Sequence, residues 1–157
     1  MRVGIGLDSH RFGDGGSLIL GGVEIPEAPR LEAHSDGDVL LHALFNAISS
    51  ALGERSIGHY HPDTDEARRG ISSIVYMETV KRMLADHGYR IENFSIALEA
   101  SRPRLEPYVE AMRSRVAEIF SIEPDQIGIT ATSGEGLTAV GRGEGIRALA
   151  IVNLTQA

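Results

Sequence analysis

The chain has 157 residues, with 15 Lys plus Arg against 22 Asp plus Glu, six His, no Cys, no Trp and a formal net charge of −7. That length suits one domain with a core large enough to fold without disulfides, and the acidic balance excludes a nucleic-acid binder or a protein drawn to anionic membranes by a basic face. Without cysteine there is no disulfide framework, thiolate metal site or cysteine nucleophile, so any transition metal must sit on His and carboxylate.

Residues 2–9 alternate Val3, Ile5 and Leu7 with Arg2, Gly4, Gly6 and Asp8, which predicts a strand with one apolar and one small or polar face. A hairpin-like region follows, with Leu18-Ile19-Leu20 and Val23-Glu24-Ile25 separated by Gly21-Gly22. Residues 26–37 read as loop. A helix is expected from Asp38 to about Ala51, capped by Ser35 or Asp36. It is apolar almost all round, and Asp38, His42, Asn46 and Ser49 or Ser50 form a single polar seam at helical spacing.

Residues 53–71 read as a long polar loop. Helices follow at about 72–87, ending at Gly88, and at about 105–120. Strands are expected around Phe94-Ile96-Leu98, Ile127-Ile129-Ala131 and 146–154. This mixture predicts an α+β, two-layer subunit in which helices cover one side of a mixed sheet. No repeat or linker divides the chain. The N-terminus lacks the pattern of a signal peptide and no apolar run approaches the ~20 residues of a membrane span, so the expectation is a soluble cytoplasmic protein. A plastid origin with a removed transit peptide stays open.

Asp8 and His10 are two apart on the first strand, so their side chains leave one face about 6–7 Å apart. Asp8, His10 and His42 would make a three-ligand zinc site with a fourth position left for water or substrate. Asp38, one turn before His42, is placed to orient its ring. The alternative is that Asp8 caps a turn and both histidines are merely hydrogen-bonded or exposed. No P-loop is present, Gly4-Ile5-Gly6 lacks the third glycine of a dinucleotide fingerprint, and Gly141-Arg142-Gly143-Glu144-Gly145 alone reads as a tight turn. The tract from Thr130 to Glu135 ends a strand with hydroxyls and a carboxylate, suited to a phosphate and a hard cation or simply a polar strand end.

In order along nearly the whole chain come G-x-D-x-H (Gly6 to His10), L-G-G-V-x-I-P (Leu20 to Pro26), A-H-S-D-G-D-V-x-L-H-A-L (Ala33 to Leu44), Ile57-Gly58 and P-D-T-D (Pro62 to Asp65). R-P-R (Arg102 to Arg104), A-T-S (Ala131 to Ser133) and G-R-G-E-G-I (Gly141 to Ile146) follow. Together these motifs resemble the 2-C-methyl-D-erythritol 2,4-cyclodiphosphate synthase family of the non-mevalonate isoprenoid pathway.

The resemblance implies one cyclodiphosphate synthase domain over residues 1–157, assembled as a homotrimer with sheets facing the threefold axis and active sites between subunits. The implied activity is that of a phosphorus–oxygen lyase. It cyclises 4-diphosphocytidyl-2-C-methyl-D-erythritol 2-phosphate to 2-C-methyl-D-erythritol 2,4-cyclodiphosphate and releases CMP. By resemblance Asp8, His10 and His42 hold Zn²⁺ or a similar divalent ion, Glu135 helps hold Mg²⁺ or Mn²⁺, and Asp8, His10 and Glu135 also meet substrate. His34 and Ser133 match transition-state stabilisers. Ser35, Ser56, Ile57, Gly58, His61, Pro62, Asp63, Thr64 and Asp65 match the methylerythritol-phosphate pocket. Residues 100–106, among them Ala100, Pro103, Arg104, Leu105 and Glu106, match the cytidine pocket together with Thr132, and Ser133 also meets substrate. Ala139 and Arg142 complete the implied binding residues, with Arg142 and Glu144 matching a motif near the axis linked to isoprenoid diphosphates.

The chain departs from the family pattern at Ser56 (usually Asp), His61 (commonly Phe), Asn46 (commonly Asp), Ser133 (usually Thr) and Thr138 (frequently Gly). Substrate affinity is where these changes are expected to tell. The rival readings are a non-catalytic trimer binding CDP or isoprenoid diphosphate, and a generic Asp/His/His metallohydrolase.

Overall fold

In the computed structural model, which describes residues 1–157, strand β1 (Arg2–Arg11) turns its glycines inward and its apolar side chains outward. Gly4 and Gly6 are buried against helix α1 (Val39–Leu52). A Cβ on Gly6 would run into the Ala43 carbonyl oxygen, and one on Gly4 into that of Ala47. The small face of β1 thus lets a helix backbone approach the strand directly. Val3, Ile5 and Leu7 are left 64%, 60% and 55% exposed.

Helix α1 is buried over most of its circumference, from Val39 through Leu52. Its cap corrects the expectation of Ser35 or Asp36. Asp38 itself is the capping residue, its carboxylate accepting from the Leu41 N–H. The same carboxylate accepts from Gly21 and Gly22 N–H, the turn between β2 (Leu18–Leu20) and β3 (Val23–Ile25). Both glycines have positive φ, as such a tight hairpin turn requires. One buried carboxylate therefore ties the hairpin to the helix that carries the polar seam. Gly53, in the left-handed conformation, ends the helix.

The expected long loop at 53–71 contains a one-turn helix, α2 (Ile57–Tyr60), and a 3-10 turn at Glu66–Arg68. Asn46 on the seam of α1 explains the first, because its Oδ1 accepts from the Ile57 N–H at 2.9 Å. Helix α3 (Ile74–His87) ends at Gly88 as its apolar spacing predicts. Strand β4 (Tyr89–Glu99) follows, and helix α4 (Val109–Phe120) begins later than expected because Glu106–Tyr108 forms a 3-10 turn around Pro107. Strands β5 (Ile127–Thr132) and β6 (Gly145–Gln156) complete the sheet.

The strand order is β1-β6-β4-β5, with β4 and β5 parallel and the other pairs antiparallel. The mixed sheet and one-sided helical layer agree with the α+β expectation. Ile146, Ala148, Ala150, Val152 and Leu154 of β6 join the contiguous buried core. On the other face of β6, Leu149 stands opposite Leu7, and Ile151 opposite Ile5, both in the open. No helix is long and apolar enough to cross a membrane.

Candidate active site

Beyond Gly6, the inward face of β1 presents Asp8 and then His10, while the first turns of α1 present His42. One Asp8 oxygen, Oδ2, lies 3.1 Å from His10 Nε2 and 3.1 Å from His42 Nδ1. One ligand atom from each residue falls within 4.8 Å of the others. The two rings meet edge-on at 5.7 Å.

Burial alone would push the Asp8 carboxyl upward, but hydrogen bonds and charge from His10 and His42 outweigh it and hold the group below its ordinary value. Burial likewise disfavours charge on His10, yet the Asp8 hydrogen bond and charge outweigh it and raise the ring. Two imidazoles and a carboxylate converging this closely form a group that could hold a divalent metal ion.

Asp38 does not orient His42 as expected, because its oxygens are engaged by Gly21, Gly22 and Leu41. Burial and the nearby Asp36 charge raise the Asp38 carboxyl to about 6, with the N–H donors acting in the opposite direction. The second nitrogen of His42 instead meets Ser73 Oγ at 2.8 Å.

The triad opens into a cavity of about 350 Å³. Of the expected pocket residues, His34, Ser35, Ile57, Gly58, His61 and Asp63 line it, together with Glu32, Ala33 and Tyr76. Ser56, Pro62, Thr64 and Asp65 flank that wall without lining it. Asp65 contributes through its carbonyl, which accepts from His34 Nε2 at 2.6 Å. His61 stacks on Tyr76 at 4.3 Å, receives Arg68 at Nδ1 and meets Thr79 through Nε2. Burial, then Arg68, Arg82 and His42, lower its basicity and favour the neutral ring that can accept from Arg68.

A second cavity of about 290 Å³ lies at the ends of β4 and β5, lined by the expected residues 100–106, Thr132 and Ser133 together with Ala131. Glu135 stands beside it with φ +50°, its carboxylate accepting from Ser133 Oγ. It does not join the Asp8 cluster within the subunit. Ala139 lines a third recess with His10, Arg11 and Glu144, and the exposed Arg142 lies 3.6 Å from Glu144. The largest cavity, about 620 Å³, lies between α3, β4 and the end of α4. It has no histidine and one carboxylate, Glu123, so its size carries no comparable chemistry.

Tyr76 and Ser73 were not legible as site residues. Tyr76 belongs to an amphipathic helix whose apolar positions read as core, and Ser73 is one serine of a polar pair with no spacing signal.

The sequence profile of the YgbB family matches residues 1–155. A 2-C-methyl-D-erythritol 2,4-cyclodiphosphate synthase of Alkaliphilus metalliredigens is 48% identical over 156 residues, covering 99% of this chain and 98% of that protein. Among solved structures, the bifunctional IspDF of Campylobacter jejuni superposes with a TM-score of 0.90 at 37% identity over 99% of this chain, which spans 42% of that longer one. A 2C-methyl-D-erythritol-2,4-cyclodiphosphate synthase in its CDP-bound form superposes with a TM-score of 0.86 at 35% identity, covering 98% of this chain and 100% of its own.

Proposed function

This chain belongs to the YgbB family of 2-C-methyl-D-erythritol 2,4-cyclodiphosphate synthases, and from that we propose how its residues perform the family reaction. The substrate is 4-diphosphocytidyl-2-C-methyl-D-erythritol 2-phosphate. Its 2-phosphate oxygen forms a bond to the β-phosphorus, the bond from that phosphorus to the CMP phosphate oxygen breaks, and CMP departs with the electron pair. The observation that carries this reading is Asp8 Oδ2 lying equidistant from His10 Nε2 and His42 Nδ1 at the floor of a cavity.

Phosphoryl transfer asks a protein for position and charge neutralisation more than for covalent chemistry. Asp8, His10 and His42 would hold Zn²⁺ or a similar divalent ion, which when bound supplies Lewis-acid polarisation of a phosphate oxygen. Glu135 is assigned to Mg²⁺ or Mn²⁺ near Ser133. The wall formed by Ser35, Ile57, Gly58, His61 and Asp63, flanked by Ser56, Pro62, Thr64 and Asp65, takes the methylerythritol phosphate, with His34 beside the reacting phosphates. The cavity formed by residues 100–106 with Thr132 and Ser133 takes the cytidine, the nucleotide portion named in the CDP-bound relative.

These two half-sites occupy opposite edges of the sheet, on β1 and β5, three strand spacings or about 14 Å apart. A single CDP-linked substrate is better served if the β1 edge of one subunit meets the β5 edge of another. The bare face supports such an assembly. Val3, Ile5, Leu7, Leu149 and Ile151 are exposed there, and Asn153, opposite Val3, has a buried Oδ1 without a partner. We therefore read residues 1–157 as one domain that forms a homotrimer with sheets inward, placing Arg142 and Glu144 near the axis for an isoprenoid diphosphate.

The test is release of CMP from the CDP-linked substrate by purified protein, compared with a His42→Ala variant. Turnover lost in that variant supports the assignment. CMP binding without turnover in metal-replete wild type contradicts it.

A further inference from the structure

We propose that Ser73, anchored by Asp36, is a positioning residue that fixes the His42 ring as its Nε2–H tautomer and so presents a bare Nδ1 to the metal. This rests on the metal-site reading above and adds two residues that no part of that reading uses.

The proton positions follow from the partners. Ser73 Oγ lies 2.5 Å from Asp36 Oδ1, and the Ser73 N–H donates to Asp36 Oδ2 at 3.1 Å. A carboxylate only accepts, so the serine hydroxyl must donate to Asp36. Its remaining lone pairs are then free to accept, and the group facing them at 2.8 Å is His42 Nε2. In the neutral ring Nε2 therefore carries the hydrogen and Nδ1 is left as an acceptor. Nδ1 in turn lies 3.1 Å from Asp8 Oδ2, a contact that shares a proton while no cation is bound and gives up that proton to a cation, with the Nε2 hydrogen kept by Ser73. Ser35 is the only competing hydroxyl, at 3.3 Å from Nε2 and 3.4 Å from Ser73 Oγ, both longer than the bonds that make the chain.

The chain is also held mechanically. The Asp38 N–H donates to Asp36 Oδ1, and the Asp36 N–H donates to the Ile71 carbonyl, so the carboxylate is fixed between the start of α1 and the segment entering α3. Ser73 is fully buried, which keeps water from substituting for its hydroxyl. A carboxylate acting through a serine on the far nitrogen of a histidine fixes ring orientation and raises its strength as a ligand.

Two readouts test this. The first is the ¹⁵N spectrum of His42 in metal-free protein, where wild type should show a hydrogen held on Nε2 and Ser73→Ala should show Nε2 bare in part of the population. The second is Zn²⁺ affinity by competition with a chelating dye. Ser73→Ala should weaken binding about 10- to 100-fold, Ser73→Thr should restore most of it, and Ser35→Ala should have a smaller effect. Melting curves of the metal-free variants check that each remains folded. Unchanged tautomer and unchanged Zn²⁺ affinity in Ser73→Ala would overturn the proposal. Wild type that takes up no Zn²⁺ would overturn the metal reading instead, and the tautomer spectrum would still decide the role of Ser73.

Discussion

Leu7 on β1 stands directly opposite Leu149 on β6, and both side chains lie on the face of the sheet that no helix covers. Burying each large aliphatic side chain on that face is worth about 1.5–3 kcal/mol. On the proposed trimer, wild type should sediment at three times the 16.9 kDa chain mass in analytical ultracentrifugation, and Leu7→Asp, which sets a charge among these side chains, should sediment as single chains. Turnover should fall with it, because the half-sites on β1 and β5 then lie on different molecules. A wild-type monomer with full activity contradicts the shared site.

The opposite face of the same strand makes a second prediction. A Cβ on Gly6 collides with backbone, the Ala43 carbonyl, which a rotamer change cannot relieve. Gly6→Ala should cost about 3 kcal/mol or more, lowering the melting temperature by about 6–12 °C. An unchanged melting curve would mean that α1 and β1 do not pack backbone to backbone.

Much of this arrangement was legible in the sequence, and the misses are physical. The alternation in residues 2–9 identifies two faces, but single-chain burial would turn the apolar one inward, whereas the close approach of α1 admits only the glycine face. Motif order named Asp8, His10 and His42, and their convergence depended on Gly4 and Gly6 admitting α1. Asp38 was placed beside His42 by helical spacing, yet the unsatisfied N–H groups of the Gly21-Gly22 turn and of α1 claim it first. Asn46 was seen on the polar seam, but nothing local announces that it starts α2.

Asp38 gives a pH-dependent prediction. Its folded-state carboxyl is raised from 3.8 to about 6, chiefly by burial. The folded chain therefore holds that proton more tightly than the unfolded chain. The resulting stability is complete below about pH 3.8 and is lost as pH rises through about 6. At ~1.4 kcal/mol per unit the change is on the order of 3 kcal/mol. Asp38→Asn removes this titration and leaves one N–H donor facing an amide donor. The stability advantage of wild type over this variant, from urea melts, should shrink between pH 4 and pH 7. An advantage that grows over that range contradicts the burial argument.

Ser56 precedes α2 with its side chain free of any capping bond, in the place where the motif resemblance leads one to expect Asp. A carboxylate there would accept a charge-assisted hydrogen bond from a substrate hydroxyl, worth about 1 kcal/mol more than a neutral one. Ser56→Asp should therefore lower KM about fivefold with little change in kcat. A fall in kcat with KM unchanged would place Ser56 elsewhere than on the bound diol.

The account rests on a divalent ion at Asp8, His10 and His42 serving a cyclisation rather than a hydrolysis. The most direct measurement is the ³¹P spectrum of the CDP-linked substrate incubated with metal-stripped protein, then with the same protein after adding Zn²⁺ and Mg²⁺. The account predicts no reaction before addition, and afterwards CMP and 2-C-methyl-D-erythritol 2,4-cyclodiphosphate in equal amounts. Linear phosphate products, or full turnover by the stripped protein, would contradict it.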